Sequence, residues 1–288
     1  MKRILIIGAN GFVGSHLCCT LENSHSILRV VRSSNHTLNP GISLIKISEI
    51  TTEDVKNISY IIFCHSQRGV NYTQKNYEES ISALRKILNL VSLKEKTLKG
   101  VIYISSFAIY RALSGGVVGN HTKPNFDNDD WYAKCKIEEE MEVLKFAKAN
   151  GINYLVMRSP TIIGNGFHGN LISKVYNSLK HNLDIDLFNK DIKYNALVEV
   201  NSIINIITSF IAQDKILLNN TVLLSSTTID TLENIVNSMK SILSSRSSIN
   251  WGTSIMRGPS VVIQEDLIFS RRYLMPTNKI LENMKYYD

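Results

Sequence analysis

The chain has 288 residues, 44% of them hydrophobic and 20% charged, with a mean hydropathy of −0.02. That composition excludes disordered, collagen-like and coiled-coil architectures and supplies a sizeable core without disulfides. Thirty-two Lys and Arg against 25 Asp and Glu give +7, but the basic residues are dispersed and form no stripe interleaved with aromatics. Nucleic acid is therefore not the expected partner, and anionic small ligands such as nucleotides fit better.

No run approaches the ~20 apolar residues of a bilayer span. Met1, Lys2 and Arg3 run straight into a short apolar stretch without a signal-peptide core, so a cytoplasmic location and no membrane partner are expected. The four cysteines (18, 19, 64, 135) form neither a disulfide framework nor a CxxC pair, and the seven histidines never take an HxxxH spacing. No metal site is expected.

In chain order, Arg3 to Ile7 reads as an apolar strand, followed by a glycine turn and a helical pattern from Ser15 to Glu22. Further strands are expected at Ser26 to Val31, Ile42 to Ile47, Tyr60 to Cys64 and Gly100 to Ser105. An amphipathic helix from about 76 to 93 carries Ile81, Leu84, Ile87, Leu88 and Val91 on one face. A second long helix spans about 131 to 149 and ends at Gly151 as C-cap, before a strand at Asn153 to Arg158. Alternating strands and helices imply an α/β fold with a doubly wound parallel sheet. After the glycine-rich stretch 160–168 come shorter helices, about 170–180, 200–211 and 232–243, with short strands near Ile185 and Val222. The expected division is a dinucleotide-binding domain over 1–165 and a smaller C-terminal substrate-binding lobe over 166–288, partly interleaved with the sheet, with a cleft between them.

Gly8, Gly11 and Gly14 stand between the first strand and helix, where glycines permit a tight turn, close approach to a pyrophosphate and close helix–sheet packing. The helix N-terminus adds unpaired amides and partial positive charge. Gly8, Asn10, Gly11, Phe12, Val13 and Gly14 are thus expected to hold a dinucleotide. A carboxylate for the ribose 2′-hydroxyl belongs about 20 residues later, yet residues 26–34 contain none. Arg32 stands there instead, placed to clamp a 2′-phosphate, so NADP(H) is favoured and NAD(H) is the alternative.

Ser105 and Ser106 end the fifth strand, and Tyr132 and Lys136 follow at i and i+4 on one helix face. A phenol ionises near pH 10 and exchanges protons poorly at neutral pH until a nearby ammonium favours its phenolate. A serine hydroxyl can hydrogen-bond the reacting oxygen.

Gly8-x-x-Gly11-x-x-Gly14, Ser105-Ser106-x-x-x-Tyr110, Tyr132-x-x-x-Lys136 and Arg158 to Gly164 occur in order. In this the chain resembles the extended short-chain dehydrogenase/reductase superfamily, in its NAD-dependent epimerase/dehydratase branch, from Ile4 to about Leu281. The resemblance implies a Rossmann-type sheet and a catalytic set of Ser106, Tyr132 and Lys136. It also implies cofactor contacts from Ser105, Tyr132, Lys136, Pro160, Ile162, Ile163 and His65, a structural Arg158, and a homodimer built on the helices at 76–93 and 131–149. Two positions depart from relatives: Ser80 replaces an Asn, and Cys135 replaces a Ser. Sugar 4,6-dehydratases carry Thr-Asp-Glu where this chain has Ser106, Phe107 and Ala108, so dehydration is not expected. The expected activity is NADPH-dependent reduction of a nucleotide-linked 4-keto-6-deoxy sugar of the bacterial polysaccharide type. The alternatives are an NAD-dependent nucleotide-sugar 4-epimerase and a catalytically silent dinucleotide-binding sensor or subunit. Ser106, Phe107, Asn165, Asn170, Lys193, Asn195 and Arg257 are the expected substrate contacts.

Overall fold

A computed structural model describes residues 1–32, 43–64, 72–92, 97–111, 116–127, 129–254 and 259–287. The first half runs β1 (Arg3–Ile7), α1 (Phe12–Leu21), β2 (Ser26–Val31), β3 (Ile45–Lys46), β4 (Tyr60–Phe63), α2 (Gln74–Ser92), β5 (Gly100–Ser106), a 3₁₀ turn (Phe107–Tyr110), β6 (Val117–Val118) and α3 (Trp131–Asn150). It continues through β7 (Asn153–Ser159), β8 (Thr161–Ile163), α4 (Leu171–Lys180), β9 (Ile185–Phe188), β10 (Lys193–Tyr194), β11 (Leu197–Glu199), α5 (Val200–Ile211) and β12 (Asn220–Leu223). The last elements are β13 (Asp230–Thr231), α6 (Leu232–Ile242), β14 (Ile249–Gly252), β15 (Val261–Val262), α7 (Leu267–Tyr273) and α8 (Thr277–Asn283).

Seven strands form one sheet in the order β12-β7-β5-β4-β1-β2-β3, and the pairings from β3 through β5 are parallel. Parallel neighbours need crossover helices on the faces, so the strands are buried on both sides and read as continuous apolar runs. β1 and β4 match that reading, since Ile4 to Ile7 and Tyr60 to Phe63 are at most 1% exposed. Leu5, Ile7, Ile61 and Phe63 pack with Leu84, Ile87, Leu88 and Val91 of α2 and with Val143, Phe146 and Ala147 of α3. Each such side chain contributes roughly 1.5–3 kcal/mol on full burial.

The chain proceeds from β1 outward through β2 and β3, then returns to β4 on the other side of β1. The carboxyl ends of β1 and β4 therefore flank the point where strand order reverses, the place where doubly wound sheets bind ligands. Helix α3 is fixed at both ends. Asp130 accepts from the backbone N–H groups of Tyr132 (2.8 Å) and Ala133 (3.1 Å), and Gly151 closes the helix at φ 61° in the left-handed region.

The chain divides into two compact units. The first comprises 1–109, 126–158 and 204–222 and holds the large sheet; the second comprises 110–125, 159–203 and 223–288. Segments thus alternate between the two units along the chain. In the second unit four short strand pairs, β6–β15, β8–β11, β9–β14 and β10–β13, replace a continuous sheet. Apart from β9, which matches the strand expected near Ile185, these strands of two to four residues carry too little alternation to be read from sequence. Among the described residues no helix is long and apolar enough to cross a membrane.

Candidate active site

At the carboxyl end of β1 the Gly8 N–H donates to Val30 O at 2.8 Å, and Gly11 N–H turns back onto Gly8 O at 2.9 Å. Gly8 sits at φ 85°, a conformation L side chains rarely adopt. At Gly14 a Cβ would lie 2.0 Å from Gly8 O, with further backbone atoms at 2.8 and 2.9 Å. Helix and turn thus approach to a distance only glycine permits. Helix α1 starts at Gly11 without a side-chain cap, so its first amides face outward for an anion. This cradle, which side chains would fill, fits a dinucleotide pyrophosphate.

Past β2, Arg32 is exposed, while Arg29 is engaged by Glu22. Ser105, at the end of β5, has a buried Oγ without a hydrogen-bond partner among the described residues. Such an orphaned hydroxyl is costly unless a ligand meets it, which supports its expected place against the cofactor. Ser106 is likewise buried, its Oγ accepting from the Ala108 N–H at 3.2 Å. Phe107 opens the 3₁₀ turn and is 7% exposed.

The first turn of α3 presents Tyr132, and one turn later Lys136 enters the interior. The Lys136 side chain is 2% exposed. Its Nζ donates to Glu139 Oε2 and to Tyr103 Oη, both at 2.9 Å, and lies 5.9 Å from the Tyr132 ring centroid. The Tyr103 hydroxyl in turn donates to Glu139. Burial is the largest single influence and disfavours the Lys136 charge, but Glu139, Tyr132 and Cys135 together outweigh it, so the amine holds its proton more firmly than an ordinary lysine. Burial, then Glu139, pushes the Tyr103 phenol well above its usual range, so it stays a neutral bridge.

Tyr72 packs its ring edge-on to Tyr132 at 5.4 Å. Its hydroxyl lies 3.0 Å from Ser80 Oγ and 3.3 Å from Cys135 Sγ. The two positions that depart from relatives are thus joined through one phenol. Arg158 is held by Glu140, with Nη2 at 2.9 Å and Nε at 3.2 Å from its oxygens, in the structural role expected for it.

Sequence reading missed Glu139, Tyr103 and Tyr72. Glu139 was accessible as the i+3 partner of Lys136, and Tyr103 as the residue two before Ser105, hence on the same strand face. Tyr72 carries no sequence signal.

In the second unit Asn165 and Lys193 are exposed. Pro160 precedes β8, which carries Ile162 and Ile163. Asn170 caps α4, accepting from the Ser173 N–H at 2.8 Å. Asn195, expected at the nucleotide end, has a different task. It is 2% exposed, donates to Ser226 O and Val262 O, and accepts from the Val262 N–H at 2.7 Å. A fully engaged buried amide of this kind ties loops together. His65 and Arg257 lie outside the described residues. No group of three or more His, Cys, Asp or Glu able to hold a metal occurs among the described residues.

The first unit thus combines a dinucleotide cradle, a strand-end hydroxyl and a phenol near a buried ammonium, groups suited to moving a proton on and off an oxygen at a redox carbon. Comparison with known proteins agrees. A family model described as "NAD dependent epimerase/dehydratase family" matches residues 4–214. UDP-glucose 4-epimerase of Vibrio cholerae is 23% identical over 230 residues, 74% of this chain and 68% of that protein. N-acetyl-alpha-D-glucosaminyl-diphospho-ditrans,octacis-undecaprenol 4-epimerase of Escherichia coli is 27% identical over 186 residues, 62% of this chain and 53% of that protein. The crystal structure of UDP-glucuronic acid 4-epimerase from Bacillus cereus in complex with NAD superposes at TM-score 0.80 with 16% identity, covering 99% of this chain and 96% of that one. With a family model spanning most of its length and the sheet and glycine turn to match, the chain belongs to the NAD-dependent epimerase/dehydratase family.

Proposed function

We propose that the chain is a 4-epimerase of a nucleotide-activated sugar, working through a retained dinucleotide. The observation that carries this reading is Tyr132 standing one helical turn from the buried Lys136, on a helix packed against the strand that ends in Ser106. Two curated relatives bearing 4-epimerase names support the choice of reaction. The glycine turn from Gly8 to Gly14 receives the pyrophosphate, and Ser105 Oγ, Tyr132 and Lys136 meet the nicotinamide end. Bound there, the cofactor supplies the hydride acceptor and, on return, the donor. Ser106 Oγ hydrogen-bonds the sugar oxygen. Tyr132 takes the hydroxyl proton as the carbonyl forms and gives it back once the opposite face is presented, so no net proton is consumed. Lys136 stabilises the phenolate that is present before the proton is taken and after it is returned.

A second reading, NADPH-dependent reduction of a nucleotide-linked 4-keto-6-deoxy sugar, draws on Arg32 and on the absence of any carboxylate over residues 26–34 of the sequence. Both readings place the enzyme in the cytoplasm, as a homodimer through α2 and α3. In the deciding experiment the purified protein is incubated with UDP-hexoses and, separately, with 4-keto-6-deoxy sugar nucleotides plus NADPH or NADH. Isomerisation without net change in absorbance at the reduced-nicotinamide band, with NAD carried through purification, is the expected result. Stoichiometric NADPH consumption would instead establish the reductase. Tyr132→Phe should lose turnover by about 10²–10⁴-fold while binding dinucleotide normally. Wild-type turnover in that variant would overturn the assignment.

A further inference from the structure

Glu139 is a buried carboxylate three residues beyond Lys136, and none of the four sequence motifs that mark the site calls for it. Its Oε2 accepts from the Lys136 ammonium at 2.9 Å, and Tyr103 closes the triangle, accepting from the same ammonium at 2.9 Å and donating to the same carboxylate. Both side chains of the ion pair are at most 2% exposed. An ammonium so engaged is held on the β5 side of α3, and its field at Tyr132 is offset by an adjacent negative charge. We propose that Glu139, braced by Tyr103, is a positioning residue that restrains and partly neutralises Lys136 and thereby sets the pH range over which Tyr132 exchanges its proton. The inference rests on the reading of Tyr132 as the proton-transfer group.

Other groups around the pair do not supply that countercharge. On α3, Cys135 is pushed up to about 11, chiefly by burial, and Glu140 is engaged by Arg158. After β4, burial pushes the Cys64 thiol up strongly. Ahead of α2, burial does the same to the Tyr72 phenol. These thiols and phenols are neutral over the working range, and among the described residues Glu139 is an anion bonded directly to Lys136.

The sign follows from charge. Replacing Glu139 by Gln removes a negative charge near the phenolate and unmasks the ammonium, so Tyr132 ionises at lower pH. An epimerase that needs phenolate then keeps its rate to lower pH, and a reductase that needs phenol loses its rate earlier. In either case the limb of the kcat/KM profile due to Tyr132 moves down.

The test is the pH profile of the purified full-length enzyme and of its Glu139→Gln, Glu139→Asp and Tyr103→Phe variants. Glu139→Gln is expected to move that limb down by about one pH unit or more. Glu139→Asp, which keeps the charge, should fall between Gln and wild type. Should Glu139→Gln not fold, Glu139→Asp and Tyr103→Phe still test the arrangement, through a downward shift with Asp and less than about half a unit with Phe. Ionisation of Tyr132, read as the difference in tyrosinate absorbance between each protein and its Tyr132→Phe counterpart, must move with the kinetics. A lowered rate with an unshifted limb would mean that Glu139 only supports the fold, and would overturn the inference. Failure of Tyr132→Phe to reduce turnover would instead overturn the catalytic reading itself, so the two failures are distinct.

Discussion

Replacing Gly14 by Ala adds one methyl group where the structure has no room for it. The new carbon would stand 2.0 Å from Gly8 O, whereas the same oxygen lies 3.2 Å from a Cβ built at Gly11, already a tight contact. About 1.2 Å of separation must be found, and every obstructing atom belongs to backbone, so no side chain can swing aside. Overpacking of this kind costs typically ~1–3 kcal/mol, and the rigid surroundings put Gly14→Ala at about 3. For a chain of this size that lowers the unfolding temperature by roughly 6–12 °C. Moving α1 by about an ångström also takes its first amides out of register with the pyrophosphate. Dinucleotide affinity should fall about 100-fold, or ~2.7 kcal/mol. Thermal unfolding followed by circular dichroism, with a fluorescence titration of NADH, reads both effects. Gly151→Ala is the control. Its φ of 61° costs ~1–2 kcal/mol in backbone strain, but nothing lies within 4 Å of the added carbon, so stability falls while affinity holds. A Gly14→Ala protein with wild-type unfolding temperature and affinity would refute the claim that helix and turn meet at this residue.

Two further outcomes follow from burial. Glu140→Met removes the carboxylate bonded to Arg158, whose side chain is only 15% exposed, and should cost about 3 kcal/mol in urea unfolding, whereas the double variant Glu140→Met/Arg158→Met should cost less than the single one. Equal or additive losses would show that the pair is not coupled. Brief iodoacetamide treatment at pH 8, read by peptide mass spectrometry, should label the exposed Cys19 ahead of the buried Cys18 and Cys135, whose thiols burial pushes up to about 11. Early labelling of Cys135 would contradict the packing around α3.

Sequence patterns reached the first unit's architecture because β1, β4 and β5 are continuous apolar runs and α2 carries a clear 3.6-residue pattern. β1, β2 and α3 begin where the residues indicate, and Gly151 caps α3 as read. The strand expected at 42–47 is shorter, Ile45–Lys46. The second unit was legible in α4, α6 and the strand near Ile185, β9, whereas its other short strands, α7 and α8 leave no periodicity to count. The same division holds in the site. Gly8, Gly14, Tyr132 and Lys136 announce themselves by spacing, but Glu139 and Tyr103 gain meaning only when β5 and α3 are packed together. Asn195 misled because an amide in a polar loop looks the same in sequence whether it meets a ligand or ties backbone.

The alternation of segments between the two units has a consequence for biosynthesis. A ribosome releases β1 to β5 early, but the strand that completes the sheet, β12, ends at Leu223. At ~5–20 residues per second, the roughly 120 residues after Ser106 take about 6–24 s to synthesise. For that interval β7, once made, presents an open edge, and the nascent chain must also hold back segments 110–125 and 159–203, whose partners in β15 and α8 come later still. An enzyme threaded in this way has no early folding unit that is finished before most of the polypeptide exists. A cut at a single internal bond between Ile109 and Leu223 therefore separates segments that belong to the same unit.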